Sequence, residues 1–220
     1  MVLICGVDEA GRGPVIGPMV IVGISIDEEK ESKLQWIGVK DSKLLTPKRR
    51  EVLYEKILEI VKGYKVEIIP PSQIDAALED AEMNLNWLEA IKTAGIINKL
   101  KPNKAYIDSP SNNLKDYKNY MKNRITNKKT ELIVEHRADK NHPCVGAASI
   151  IAKVTRDKEV AKIKKATGQE IGSGYPSDPV TVEFLKKNYD KYPDIMRKTW
   201  APYRDIIKNR KQKKLNNYLG

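Results

Sequence analysis

Four acidic side chains carry the clearest chemical signal in the chain. Asp8, with Glu9 beside it, ends the apolar, β-branched run from Val2 to Val7, and Asp108 ends the shorter run from Ala105 to Ile107. In an open α/β sheet, acids placed where strands run out lie along the carboxyl edge, where sites usually form. Asp139 lies in the loop that leads into a stretch of small residues, Gly146-Ala147-Ala148-Ser149. Four carboxylates gathered at one point repel one another unless cations intervene. Their hard oxygen ligands suit Mg²⁺ or Mn²⁺ rather than zinc, and a pair of such ions fits in-line attack on a phosphodiester. Taken singly, each acid also has a plainer reading: a strand-end Asp often starts a turn, and Asp139 can cap a helix.

Directly behind Asp8 and Glu9 comes Gly11-Arg12-Gly13-Pro14-Val15-Ile16-Gly17. Glycines after a strand suggest a dinucleotide-binding turn, but that fingerprint opens a helix, whereas Pro14 and the β-branched residues after it predict a strand. What remains is a glycine-flanked arginine on a loop. Its bare backbone can approach a sugar or phosphate, and Arg12 can pair with it. A plain tight turn would account for the glycines but not for the arginine. The only histidines, His136 and His142, are too few to support a Ser-His-Asp or Cys-His site. Cys5 and Cys144 are far apart, each in an apolar stretch, which indicates neither a disulfide framework nor zinc.

The elements that position these residues follow from pattern. Val2 to Val7 and Val15 to Ile26 read as two strands joined by the glycine-rich loop, and Tyr64 to Ile69 as a third. Thr46-Pro47 caps a helix with Leu53, Ile57, Leu58 and Val61 at helical spacing, closed by Gly63. A second helix spans Met83 to Leu100 and is broken at Pro102. Strands at 105–107 and 131–135 follow, and then a small-residue helix from Val145 that continues in amphipathic form to Ala166. Asp178-Pro179 caps a helix through Tyr189, and Tyr203 to Leu215 is helical and basic. Three strands in succession, then strands separated by helices, predict an α/β fold: a mixed sheet flanked by helices, with an antiparallel half.

The 220 residues allow one sizeable core, and 40 Lys plus Arg against 29 Asp plus Glu leave a formal charge of +11, which favours a polyanionic partner. A lysine-rich solvated surface would give the same balance. The longest apolar run, Pro14 to Ile26, is about half of the ~20 residues a membrane span requires, so a soluble cytoplasmic protein is expected. With no evident interface, a monomer is the default.

Several motifs together resemble the archaeal branch of the ribonuclease HII family, in consistent order from Cys5 to about Trp200. Gly6-Val7-Asp8-Glu9-Ala10-Gly11-Arg12-Gly13-Pro14 is similar to the family's opening signature, and Val39-Lys40-Asp41-Ser42-Lys43-Leu44 to its second block. Tyr106-Ile107-Asp108-Ser109 and His136-Arg137-Ala138-Asp139 stand where its third and fourth acids lie. Ala147-Ala148-Ser149-Ile150-Ile151-Ala152-Lys153-Val154 resembles its small-residue helix, and Gly172-Ser173-Gly174-Tyr175-Pro176-Ser177-Asp178-Pro179 its late loop. Residues 73–82 and 111–129 match no motif and are expected to carry loops and outer helices.

The resemblance implies a ribonuclease H-like five-stranded mixed sheet. Residues 1–190 would form the catalytic domain, and 191–220 a basic helical segment that helps hold a duplex. It implies an endonuclease that hydrolyses the RNA strand of RNA/DNA hybrids and cuts 5′ of ribonucleotides embedded in DNA, leaving a 5′-phosphate and a 3′-hydroxyl. Asp8, Glu9, Asp108 and Asp139 would hold two Mg²⁺ or Mn²⁺ ions, which removes the need for a histidine base. Gly11, Arg12 and Gly13 would test for a 2′-hydroxyl through the backbone, and Tyr175 would stack on the deoxyribose that follows. Lys40, Ser42, Lys43 and Lys153 are candidate phosphate contacts, and the basic tail from Arg204 to Lys214 could follow the duplex backbone. Gln212, Leu215, Tyr218 and Leu219 resemble a sliding-clamp (PCNA) peptide in which Leu219 replaces the usual second aromatic, although a frayed amphipathic end is the alternative. Two rivals stay open: a noncatalytic duplex-binding protein that uses the acids as caps and turns, and another nuclease of this fold, such as a resolvase.

Overall fold

A computed structural model describes residues 1–39 and 45–219, the side chains of Lys211 and of residues 213–219 excepted. Strands β1 (Leu3–Ala10), β2 (Met19–Asp27), β3 (Gly63–Ile69), β4 (Lys104–Asp108) and β5 (Glu131–Glu135) form one sheet in the order β3-β2-β1-β4-β5. The first three are antiparallel neighbours, while β4 pairs parallel with β1 and β5 parallel with β4. The expected antiparallel half and mixed sheet are both present. Helices α4 (Leu85–Leu100) and α5 (Leu114–Arg124) precede β4 and β5 and carry the chain back across the sheet, the route that parallel neighbours require.

Both faces of the sheet are covered, which is why β2 is buried along its whole length and reads as a continuous apolar run. On one face lie α2 (Pro47–Ile60) and the long α7 (Pro143–Thr167), packed on Ile4, Val20, Val22 and Ile24. On the other lie α3 (Pro71–Glu79), α4 and α5, packed on Cys5, Val7, Met19 and Ile21. The small residues of α7 let it settle close to β1. A Cβ added at Gly6 would lie 2.2 Å from the Cys144 carbonyl carbon and 2.4 Å from the Val145 nitrogen, so only glycine fits beneath the helix. Glu31 caps that helix from a distance, its Oε1 accepting from the Cys144 amide at 3.0 Å.

Several boundaries differ from the sequence expectation. β1 does not stop at Val7 but runs on through Asp8 and Glu9 to Ala10, because all three pair with β2. Residues 15–18 stand outside β2, because Gly17 takes φ +85° and Ile16 bridges Met196 near the C-terminus. The helix expected from Met83 begins at Leu85, since Asn84 takes the cap position and accepts from the Trp87 amide at 2.9 Å. The basic helix, α9 (Ala201–Leu219), extends past both ends of the expected Tyr203 to Leu215. The caps at Thr46 and Asp178 stand as expected, the latter opening α8 (Pro179–Asn188). Of two short helices that the pattern did not foretell, α1 (Ser32–Trp36) and α6 (Ala138–Asn141), the second carries Asp139. Among the described residues no helix is long and apolar enough to cross a membrane.

Candidate active site

Parallel pairing of β1 with β4 sets Val7 against Ile107, so Asp8 and Asp108 are the next residues on adjacent strands, at the same sheet edge. Asp139 arrives from α6. The chain reaches it through Arg137, which holds a left-handed φ of 59°, and the following amide, that of Ala138, donates to Asp108 Oδ1 at 3.1 Å. Asp8, Asp108 and Asp139 each offer an oxygen within 4.8 Å of the other two. Glu9 lines the same cavity, of about 520 Å³, without joining that close group.

Burial pushes the Asp8 carboxyl up to about 6; Lys153 and a hydrogen bond from Ser149 oppose the shift, while Asp108 adds to it. Burial first, and then the charges of Asp8, Glu89 and Asp108, hold the Glu9 carboxyl well above the usual carboxylate range. Carboxylates that resist ionising together have a strong electrostatic demand for cations, and their donor set is oxygen only. The residues therefore fit a hard divalent ion and lack the sulfur or imidazole ligands that zinc sites favour.

The Gly11-Arg12-Gly13 loop borders these acids. Gly11 adopts φ +82°, and a Cβ there would meet Arg156 Cδ and Nε at 2.4 Å. Arg12, expected to reach a sugar or phosphate, is engaged by α4: its guanidinium pairs with the buried Glu89 and donates to Asn86 Oδ1 at 2.8 Å. Glu89 rises to about 7, driven by burial and opposed chiefly by Arg12. Tyr175 stands over Gly13, where a Cβ would lie 3.6 Å from Cε1 of the ring. Its neighbour Gly174, at φ +84°, accepts from the amides of Val15 at 2.9 Å and Ile16 at 3.3 Å, tying the late loop to the early one.

Most of the residues singled out from sequence thus converge. Asp8, Glu9, Gly11, Arg12, Gly13, Asp108, Asp139, Lys153 and Tyr175 all line the one cavity. Lys153 donates to Ser149 Oγ at 2.9 Å beneath Asp8. Lys40, Ser42 and Lys43 lie outside the described residues, as do the side chains of Leu215, Tyr218 and Leu219. Both histidines serve the scaffold: His136 Nδ1 is 3.2 Å from the Ser109 carbonyl, and His142 pairs with Glu135 at 3.2 Å against the ring of Tyr106. Cys5 and Cys144 are buried and free, and burial raises both thiols.

Sequence reasoning missed Arg156, which lines the cavity, donates to the Ser173 carbonyl at 2.9 Å and lies 5.1 Å from the Tyr175 ring centroid. Its three-residue spacing from Lys153 on α7 was a usable signal. Glu89 and Arg197 gave no local signal, since each acts on a loop far away in the chain.

The ribonuclease HII family model matches residues 5–203, a span that takes in every residue lining the cavity. The chain belongs to the ribonuclease HII family. A ribonuclease HII from Methanococcus maripaludis is 47% identical over 224 residues, covering 99% of this chain and 92% of that protein. Among solved structures, the ribonuclease H2 of Pyrococcus horikoshii superposes with a TM-score of 0.85 at 45% identity, covering 94% of this chain and 98% of that one. The ribonuclease HII solved in a PCNA complex from Archaeoglobus fulgidus gives 0.81 at 38% identity, covering 90% of this chain and 95% of the other. The five-stranded mixed sheet is accordingly the ribonuclease H-like fold anticipated from the motifs.

Proposed function

We infer that this protein is a ribonuclease H of the HII type: an endonuclease that hydrolyses the RNA strand of RNA/DNA hybrids and cuts 5′ of ribonucleotides embedded in duplex DNA, leaving a 5′-phosphate and a 3′-hydroxyl. The observation that carries this reading is the meeting of Asp8, Asp108 and Asp139 at one sheet edge, with the Gly11-Arg12-Gly13 loop and Tyr175 on the same cavity, in a chain of this family.

Asp8, Asp108 and Asp139, with Glu9 completing the set, would hold two Mg²⁺ or Mn²⁺ ions. When bound, such ions activate the attacking water and stabilise the departing 3′ oxygen. The chain's own residues supply position. Gly11 and Gly13 bring bare backbone against the sugar, Tyr175 stacks on the deoxyribose 3′ of it, and Lys153, Lys40, Ser42 and Lys43 contact phosphates. Arg12 supports the loop through Glu89 and Asn86 as well as adding positive charge beside the sugar. Residues 1–190 act as the catalytic unit and 191–220 as a basic segment along the duplex, in a cytoplasmic monomer whose charge of +11 makes binding salt-dependent.

The test is cleavage of a DNA duplex carrying one ribonucleotide, with Mg²⁺, Mn²⁺ or EDTA. Metal-dependent cutting on the 5′ side, lost in Asp8→Ala, supports the reading. Binding without cutting under either metal would favour a noncatalytic protein, and efficient cutting of all-DNA duplex a different nuclease of this fold.

A second reading concerns the tail. The Archaeoglobus fulgidus relative was solved with PCNA, and Gln212, Leu215, Tyr218 and Leu219 here resemble a clamp-binding pattern in sequence. This tail would dock Leu215 and Tyr218 as an apolar plug on a sliding clamp. Clamp affinity that is unchanged in Tyr218→Ala would refute it.

A further inference from the structure

The loop that borders the carboxylates is gripped from behind by a residue 180 and more positions away. Arg197 is completely buried, yet it forms no ion pair among the described residues. Each of its three guanidinium nitrogens donates to a main-chain carbonyl: Nη2 to Gly11 O at 2.6 Å, Nη1 to Arg12 O at 2.8 Å and Nε to Gly17 O at 3.1 Å. Trp200 Nε1 adds a fourth bond, to Gly13 O at 3.2 Å. The segment that carries both is itself anchored, since Asp75 accepts from the amides of Lys198 at 2.9 Å and Thr199 at 3.0 Å.

Such an arrangement is costly unless it has a use. Taking a guanidinium out of water disfavours its charge, and burial lowers the Arg197 pKa to about 9. The return lies in peptide geometry. In a planar trans peptide the C=O and the following N–H point in opposite directions, and no peptide among the described residues is cis. Drawing the Gly11 and Arg12 carbonyls toward Arg197 therefore turns the Arg12 and Gly13 amides the other way. Gly11, Arg12 and Gly13 line the cavity and Arg197 does not, so the other way is toward the cavity. Among the described residues neither amide has an acceptor within the protein. A charge-assisted bond at each carbonyl also polarises its peptide and strengthens the opposite N–H as a donor.

We propose that Arg197 is a positioning residue for ribose recognition, holding the Gly11-Arg12-Gly13 loop so that the Arg12 and Gly13 amides face a 2′-hydroxyl oxygen, with Trp200 as its auxiliary. The proposal rests on the function inferred above and assigns part of its sugar specificity to the C-terminal segment.

The test compares affinities for two duplexes that differ by a single ribose or deoxyribose, in an Asp108→Asn background that stops cleavage. Arg197→Lys keeps the charge and loses the fork, while Trp200→Phe keeps the ring and loses the donor. The expected result is a preference for the ribose-bearing duplex reduced at least tenfold in Arg197→Lys and about threefold in Trp200→Phe. Affinity for the all-DNA duplex should stay within twofold, and Mn²⁺ affinity, measured without the Asp108 change, should not move. A merely structural role would lower affinity for both duplexes together, and that result, or an unchanged preference, overturns the proposal. If Arg197→Lys does not fold, Trp200→Phe decides by the same criterion. A parent protein indifferent to the ribose would overturn the functional reading along with this one, whereas a ribose-selective parent with unaffected variants overturns this one alone.

Discussion

Asp8 and Asp108 are neighbours across the β1–β4 ladder, one residue beyond the Val7–Ile107 pair, with Asp8 buried and its carboxyl raised to about 6. Burial is the chief cause and the charge of Asp108 adds to it, so the metal-free site holds an ionised Asp8 only at a cost.

Asp8→Asn is therefore expected to abolish cleavage while stabilising the metal-free protein. A carboxyl whose folded pKa exceeds its unfolded value withdraws stability as pH rises between the two, here from 3.8 to about 6, and the full cost stands above that window. At about 1.4 kcal/mol per pKa unit, the gain at neutral pH is on the order of 3 kcal/mol. Denaturant melts at pH 7.5 and pH 4 check it: the mutant should lead at the first and lose its lead at the second.

Divalent ions are expected to reverse the order. A ligand that binds only the folded state stabilises it by about 4.1 kcal/mol at one thousand times its dissociation constant, which exceeds that cost. Thermal melts with rising Mn²⁺ or Mg²⁺ should move upward in the native protein and barely at all in Asp8→Asn or Asp108→Asn. An equal shift in all three would mean that the ions bind elsewhere.

Gly6→Ala tests the scaffold without touching the cavity. Its methyl would have to occupy space 2.2–2.4 Å from the α7 backbone, so helix and strand must separate. Overpacking of this kind typically costs about 1–3 kcal/mol, and more when backbone must move. Because α7 also carries Ser149 and Lys153 beneath Asp8, activity of the folded fraction should fall as well. Urea melts and rates normalised to folded protein separate the two effects.

Acid should loosen the loop that carries Tyr175. Asp178 accepts from the Ser173 amide at 2.6 Å, the Ser173 hydroxyl at 2.8 Å and the Val180 amide at 2.9 Å, and the Ser173 bonds hold its carboxyl below the usual 3.8. A depressed folded pKa gives stability that is present above 3.8 and is lost as pH falls through the folded value. Asp178→Ala should thus melt below the native protein at pH 7, and the gap between their melting temperatures should narrow toward pH 3.

Much of this was legible in the chain because it obeys local rules. Asp8 and Asp108 stand where apolar runs stop, Thr46 and Asp178 precede prolines as caps, and the small residues before Ser149 announce a closely packed helix. Strand direction could be read from connections alone, since β4 and β5 follow helices that return the chain. These features depend on residues a few positions apart, so the sequence by itself determined them, together with the family they resemble.

Tertiary structure decided what depends on residues far apart. The sequence offered four acids but not the register that brings Asp8 and Asp108 level, nor the separation of Glu9 from the closest three. It pointed Arg12 at a sugar or phosphate, while the fold gives its guanidinium to Glu89 on α4. Arg197 resembled any basic residue of a basic tail until three carbonyls from Gly11 to Gly17 closed around it. Local patterns record what each residue prefers, whereas the partner of a buried charge is fixed only when the sheet, its helices and the C-terminal segment close on one another.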